Sequence, residues 1–331
     1  MKKSIIFFTS GDKGRSGFVN PDKTMVNSHT RSFMYGLNKN GYRIYQLLFP
    51  KILLFPFLLW RYKPKFIIST PHPISIFITF WKCIGLLKKK YVVYWDDLYP
   101  EMMGRKYSPQ LVSYLELLSV RLSDFIVTPS KLLEGVSKTL GKKAMFVPHG
   151  VDPKELNKVK LIHLPNKFKV GYVGSINHYK RSDVLIDLAK KNKNVLFYVI
   201  GHVGEYKKRL EKLPNIHLLD YLPPEVFFQY IKACDLALIT ADQDSTIKMY
   251  YYMGLGVPIL AYQGRASYVF EDNKTAILRS NLDKGLKFAL NNPQVLKNIK
   301  NNYKKIKIKD WPEIAKNIID RLKKEKVIYD K

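Results

Sequence analysis

The chain belongs to the α/β class and folds as two domains, each built on a parallel sheet. Three observations predict this. Apolar runs of strand length alternate with helix-spaced segments along nearly the whole sequence. The 331 residues are enough for two domains of ordinary size. A polar stretch from Pro153 to Lys167, with proline near both ends, reads as the connection between them. The expected limits are a first domain over 1–155, a linker over 156–167, a second domain over 168–310 and a last helix over 311–331.

In the first half, Ser4 to Phe8 suits a central parallel strand. The loop TSGDKGRSGF follows. With Gly11, Gly14, Lys13 and Arg15 it has the chemistry to bind phosphate, or it is simply a mobile glycine-rich loop. His29 to Asn38 has helical spacing, and 42–49 gives a strand. The apolar segment Leu47 to Trp60 holds Pro50 and Pro56, so it is not one straight helix. It is also too short for a membrane span, and it reads either as an interfacial segment or as a buried helix. After a strand at 66–70 comes an apolar helix over 74–87, whose lysines at 88–90 suit the negative end of a helix dipole. The strand YVVYW then runs into Asp96 and Asp97. Carboxylates at a strand's carboxyl end suit catalysis; the alternative is that the pair caps the next helix. A helix over 108–122, a strand at 124–127, a helix capped by Ser130 and a strand from Ala144 complete this half.

The second half opens with FKVGYVGSINHYKR: a strand, a glycine turn and then a helix, which is a setting for a phosphate-bearing ligand. Gly171 and Gly174 let the backbone approach such a ligand, and Lys180 and Arg181 supply cations just beyond the turn. Asp235 to Thr240 is a strand entering a polar loop. Ser245, Thr246 and Lys248 start the next helix, whose first N–H groups would face an anion. Two such helix starts in one sheet can clamp a diphosphate. A strand at 194–201, a short strand, turn and helix start over 216–225, a helix start at Arg265 and an amphipathic helix with Ile314, Ile318, Ile319 and Leu322 at helical spacing follow.

Taken in order, GYVGS at 171–175 with Lys180, VIG at 199–201, DYLPPE at 220–225, CDLALI at 234–239 and STIKMYYYMGLGVPIL at 245–260 resemble the donor-binding domain of the GT-B glycosyltransferases, particularly the GT4-like group. That resemblance implies two Rossmann-like doubly wound domains facing across a cleft, with a C-terminal helix crossing back to the first domain. It implies transfer of a sugar from a nucleoside-diphosphate sugar, a UDP-sugar being the expected donor, and no other cofactor. Asp96, then Asp97, would activate the acceptor hydroxyl, and the loop of Gly14 would touch donor or acceptor. Tyr221 would lie near the base. Gly174, Lys180, Arg181, Ser245, Thr246 and Lys248 would hold the diphosphate. The family places a glutamate three residues after the lysine, paired with a second acid further back. Here the position holds Tyr251, and Gln243, Asp242 and Asp244 lie upstream. The paired glutamates are missing, so the donor ribose contact and the stereochemical outcome stay open.

Composition narrows the partners. A hydrophobic content of 46% is that of a folded protein. Cys83 and Cys234 make no disulfide framework, and no secretory signal opens the chain. The seven histidines have no metal-ligand spacing. The net charge of +29 would attract nucleic acid, acidic substrates or anionic membranes. From Lys23 to Trp95 there is no Asp or Glu, against twelve Lys and Arg interleaved with the most apolar segments. That mixture suits an anionic membrane surface. Nucleic acid gives no reason for the leucines and isoleucines, and no nucleic-acid-binding module is recognised. The expected setting is the inner face of the plasma membrane, in the cytoplasm, with a glycan or lipid-linked acceptor. The rival readings are a catalytically degenerate subunit of the same fold, a nucleotide-sugar epimerase and a basic nucleic-acid-binding protein.

Overall fold

The computed structural model describes residues 5–9, 17–19, 29–48, 51–71, 76–98 and 108–329. The chain divides into two compact units, Met1–Gly150 with Lys309–Lys331, and Val151–Ile308. In the first unit, strands β1 (Ile5–Thr9), β2 (Gly17–Val19), β3 (Arg43–Gln46), β4 (Phe66–Ser69), β5 (Tyr91–Tyr94), β6 (Phe125–Thr128) and β7 (Ala144–Phe146) form one sheet. Their order is β2-β3-β1-β4-β5-β6-β7. Only β2 runs antiparallel, against β3. Every residue of β4, β5 and β6 is buried, as expected for parallel strands covered on both faces.

Helices α1 (His29–Lys39), α2 (Phe55–Tyr62), α3 (Ile76–Cys83), α4 (Pro109–Leu122) and α5 (Lys131–Thr139) connect these strands. The Ser130 hydroxyl accepts from Leu133 N–H and caps α5. Before α2, Lys51–Leu54 forms a 3-10 turn. The segment is therefore broken, and it is buried on one side and exposed on the other: Ile52, Phe55 and Leu58 are buried, while Leu53, Phe57 and Trp60 are exposed. The helix expected over 74–87 is shorter. Its described part ends at Cys83, and Gly85, at φ +75°, turns the chain away. Lysines 88–90 thus follow a loop rather than a helix end, and Lys90 lies 3.7 Å from Asp124.

The second unit is a six-stranded parallel sheet of β8 (Lys169–Val173), β9 (Leu196–Ile200), β10 (Ile216–Leu219), β11 (Leu236–Leu238), β12 (Ile259–Tyr262) and β13 (Ile277–Arg279). The order is β10-β9-β8-β11-β12-β13, the doubly wound arrangement of dinucleotide-binding folds. Helices α6 (Pro153–Lys158), α7 (Ser182–Lys191), α8 (Lys207–Glu211), α9 (Pro224–Lys232), α10 (Ile247–Leu255), α11 (Leu282–Asn291) and α12 (Pro293–Tyr303) accompany it. The expected helix at Arg265 is only a 3-10 turn, Arg265–Tyr268. Strand order reverses between β8 and β11. In such sheets ligands bind outside the carboxyl ends of the strands at that reversal.

The last helix, α13 (Trp311–Lys324), returns to the first unit. Asp310 caps it by accepting from Glu313 N–H at 2.9 Å. Its apolar face of Ile314, Ile318, Ile319 and Leu322 joins Phe33, Met34 and Leu37 of α1 in one core. The Asn40 amide ties the two helices together, donating to the carbonyls of Gly36 and Pro312, both at 2.8 Å.

Candidate functional site

The reversal point of the second sheet is built from two loops. After β8 the chain turns at Gly174, with φ +129°, which a side chain rarely adopts. Its N–H donates to the Ile200 carbonyl at 2.9 Å. Gly171 has a different use from the one its sequence suggested. A Cβ there would press on Ile231 and Cys234, so its small size serves helix packing, not ligand approach. Asn177 caps the following 3-10 turn by accepting from Lys180 N–H at 2.9 Å. Arg181 sits in the left-handed region at φ 53°, and its guanidinium lies over the Tyr262 ring at 4.2 Å.

The second loop follows β11. The Thr240 hydroxyl donates to the Lys180 carbonyl at 2.5 Å. The Gln243 amide is held at both ends: its oxygen accepts from Lys180 Nζ at 2.9 Å, and its nitrogen donates to the Tyr179 hydroxyl at 2.6 Å. Thr246 precedes α10 in extended conformation, and no side chain caps that helix start. Its first-turn N–H groups are the kind an anion takes up. Lys248 lies in that turn, buried, with Nζ 4.3 Å from the centre of the Tyr172 ring. A Cβ on Gly174 would stand 3.4 Å from the same Nζ.

Among the described residues, Lys248 has no ion-pair or hydrogen-bond partner. Burial, and then the nearby Lys180 charge, push its ammonium down to about 7. A buried cation without a counter-ion is costly, and a bound anion would relieve that cost. Gly174, Lys180, Thr246 and Lys248 therefore gather at one place, chemically suited to a phosphate-bearing ligand. Arg181 is engaged separately with Tyr262. Ser245 adjoins Thr246 and has partners of its own.

Residues 167–297 match the family described as Glycosyl transferases group 1. Anabaena HepE in complex with UDP is similar over 97% of this chain and 100% of its own, at 16% identity and a TM-score of 0.69. Sucrose-phosphate synthase from Thermosynechococcus elongatus is similar over 97% and 98%, at 14% identity and TM-score 0.75. The lipopolysaccharide outer core galactosyltransferase WaaB, in its apo form, is similar over 96% and 99%, at 14% identity and TM-score 0.62. No curated protein matches the sequence. The fold is that of the GT-B glycosyltransferases. At these identities the structural likeness speaks for the fold alone.

Tyr251 is the third residue after Lys248, the place where the sequence resemblance implies a glutamate. Its ring packs edge-on against Phe227 and Phe228 of α9, with centres 6.0 and 5.1 Å away. Burial raises its hydroxyl well above the ordinary range, and Glu155 and Tyr221 add to the effect. Tyr221 itself is exposed.

In the first unit, Asp96 and Asp97 stand half-buried just beyond β5, each with interaction partners. The neighbouring Trp95 is fixed firmly, its backbone N–H donating to the Val127 carbonyl at 2.8 Å and its indole N–H to Glu116 at 2.6 Å. Gly14 lies outside the described residues. No cluster of metal-ligating side chains occurs among the described residues. Tyr172 and Thr240 join the site without a sequence signal of their own, and Gln243, noted only as lying upstream of Tyr251, bridges Lys180 and Tyr179. Only the ends of β8 and β11 pointed to them, because the Tyr172 ring under Lys248 is a tertiary contact.

Proposed function

We propose that the chain transfers a sugar from a nucleoside-diphosphate sugar, of which a UDP-sugar fits best, to an acceptor hydroxyl. The observation that carries this is Lys248, whose side chain is largely buried and makes no hydrogen bond or ion pair among the described residues, beside Gly174 at the reversal of a doubly wound sheet. The UDP bound to HepE supports the choice of donor. In the reaction the bond from the anomeric carbon to the diphosphate oxygen breaks, and the acceptor oxygen bonds to that carbon. Lys180, Lys248 and the first-turn N–H groups of α10 offset the charge on the departing diphosphate, a role that in many enzymes falls to a metal. Asp96, or Asp97 after it, takes the acceptor proton if the attack is direct. Tyr221 borders the nucleoside, and Arg181 and Ser245 complete the donor loops.

The acceptor is a glycan or lipid-linked glycan in cell-surface polysaccharide or glycolipid synthesis. The protein acts in the cytoplasm, attached peripherally to the inner face of the plasma membrane. The acid-free, basic and apolar stretch before Trp95 supports that placement. A second reading, a GT-B subunit that binds nucleotide without turnover, is favoured by Tyr251 where the family has its glutamate. Titration with UDP, GDP, ADP and TDP in chelator tests the first reading. Tight binding of one nucleotide, lost in Lys248→Ala, is the expected result; binding by none would overturn the donor site. Nucleotide binding without release of sugar to any acceptor would favour the degenerate subunit.

A further inference from the structure

We propose that the outer face of α2, α3 and α4 is a docking surface for an anionic lipid bilayer. The connections from β3 to β4, β4 to β5 and β5 to β6 all step the same way across the sheet. Right-handed crossovers then place these three helices side by side on one face. Their inner sides share one core through Phe55, Leu58, Ile78 and Val120. Thr79 of α3 and Ser119 of α4 are joined hydroxyl to hydroxyl at 2.8 Å.

The outward sides are apolar where solvent-facing helices are ordinarily polar. Leu53, Phe57 and Trp60 follow one another at helical spacing, and Phe80 of α3, Leu86 just after it and Tyr114 of α4 are exposed as well. Trp60 is 71% exposed and Tyr114 63%. Large exposed apolar surfaces of this kind mark interaction sites.

Charge decides the occupant. Lys51, Arg61 and Lys63 are exposed beside these side chains and form no ion pair among the described residues. The sequence from Lys23 to Trp95 holds no acid to balance them. A second copy of the chain would set like charges against each other across a self-complementary contact. An anionic leaflet meets both demands, with an apolar layer for the leucines and aromatics and headgroups for the cations. No helix among the described residues is long and apolar enough to cross a membrane, so the contact lies in the interface plane.

This inference rests on the proposed membrane-adjacent setting but not on donor binding. The test is sedimentation of the full chain with phosphatidylcholine vesicles, with or without one third phosphatidylglycerol, at low and high salt. Binding is expected only with the anionic lipid, with weakening in high salt and a blue shift of Trp60 fluorescence. Lys51→Ala, Arg61→Ala and Lys63→Ala combined should weaken binding on the order of 100-fold, at about fivefold per cation. Phe57→Ser with Trp60→Ser should weaken it at least tenfold while leaving the melting temperature unchanged. Lys248→Ala should sediment like the wild-type protein while losing UDP, so either idea can fail alone. Equal binding to neutral vesicles, or anionic binding untouched by both variants, would overturn the proposal. A dimer in light scattering that Phe57→Ser with Trp60→Ser dissolves would assign the face to a second copy instead.

Discussion

Replacing Lys248 by methionine keeps most of the side chain's bulk and removes its charge. In the folded protein the ammonium is pushed from 10.5 to about 7, by burial first and by Lys180 second. A drop of that size corresponds to about 5 kcal/mol between the protonation states. The folded state thus binds fewer protons than the unfolded chain between about pH 7 and 10.5, so this group's contribution to stability rises with pH across that window. Below pH 7 the lysine is charged in both states and its cost is fully present. Lys248→Met should therefore stabilise the ligand-free protein, by up to about 4 kcal/mol at pH 7 and by progressively less as pH approaches 10.5. Urea unfolding of both proteins at pH 6, 7, 8 and 9 reads the difference. In the same variant, UDP affinity should fall by roughly 100-fold or more, the scale of a lost charge-assisted contact left without a substitute. Because diphosphate favours the charged ammonium, wild-type binding at pH 8 should also take up protons, visible as a buffer-dependent heat. A variant less stable than wild type at pH 7, with UDP affinity intact, would make Lys248 a structural residue and refute the reasoning.

Three further outcomes are expected. Gly174→Ala, forced to adopt φ +129°, should cost about 1–3 kcal/mol in urea unfolding and, with its methyl in contact with Lys248 Nζ, weaken UDP in calorimetry. Tyr251→Phe keeps the ring that packs on Phe228 and should leave UDP affinity within about twofold; a tenfold loss would make the hydroxyl a ligand group. Asp310→Ala removes the cap of α13 and should lower stability by about 1 kcal/mol, with UDP binding unchanged.

The fold class was legible because nearly every strand announces itself as an apolar run and the α/β alternation is regular. The return of α13 was legible in part, since Ile314, Ile318, Ile319 and Leu322 demand a core without naming it. What eluded the sequence were facts of side-chain direction. Gly171 and Gly174 look alike as letters, yet one faces Ile231 and the other Lys248. The segment around α2 invited a choice between interfacial and buried. An eight-residue helix on a sheet buries one stripe and leaves the other exposed, so burial alone does not decide between them. The helix expected to run to Leu87 ends at Cys83 because Gly85, at φ +75°, stops it, a signal that the apolar run masks. Lys248 was legible as a cation near an anion site. Its burial and the Tyr172 ring beneath it depend on β8 lying next to β11, a pairing that local pattern does not encode.

The most direct test of the account is a crystal structure with UDP, grown in chelator. The account expects a diphosphate oxygen within about 3.2 Å of Lys248 Nζ, beside Gly174 and the start of α10. UDP bound elsewhere on the chain, with Lys248 still buried and unpartnered, would contradict it.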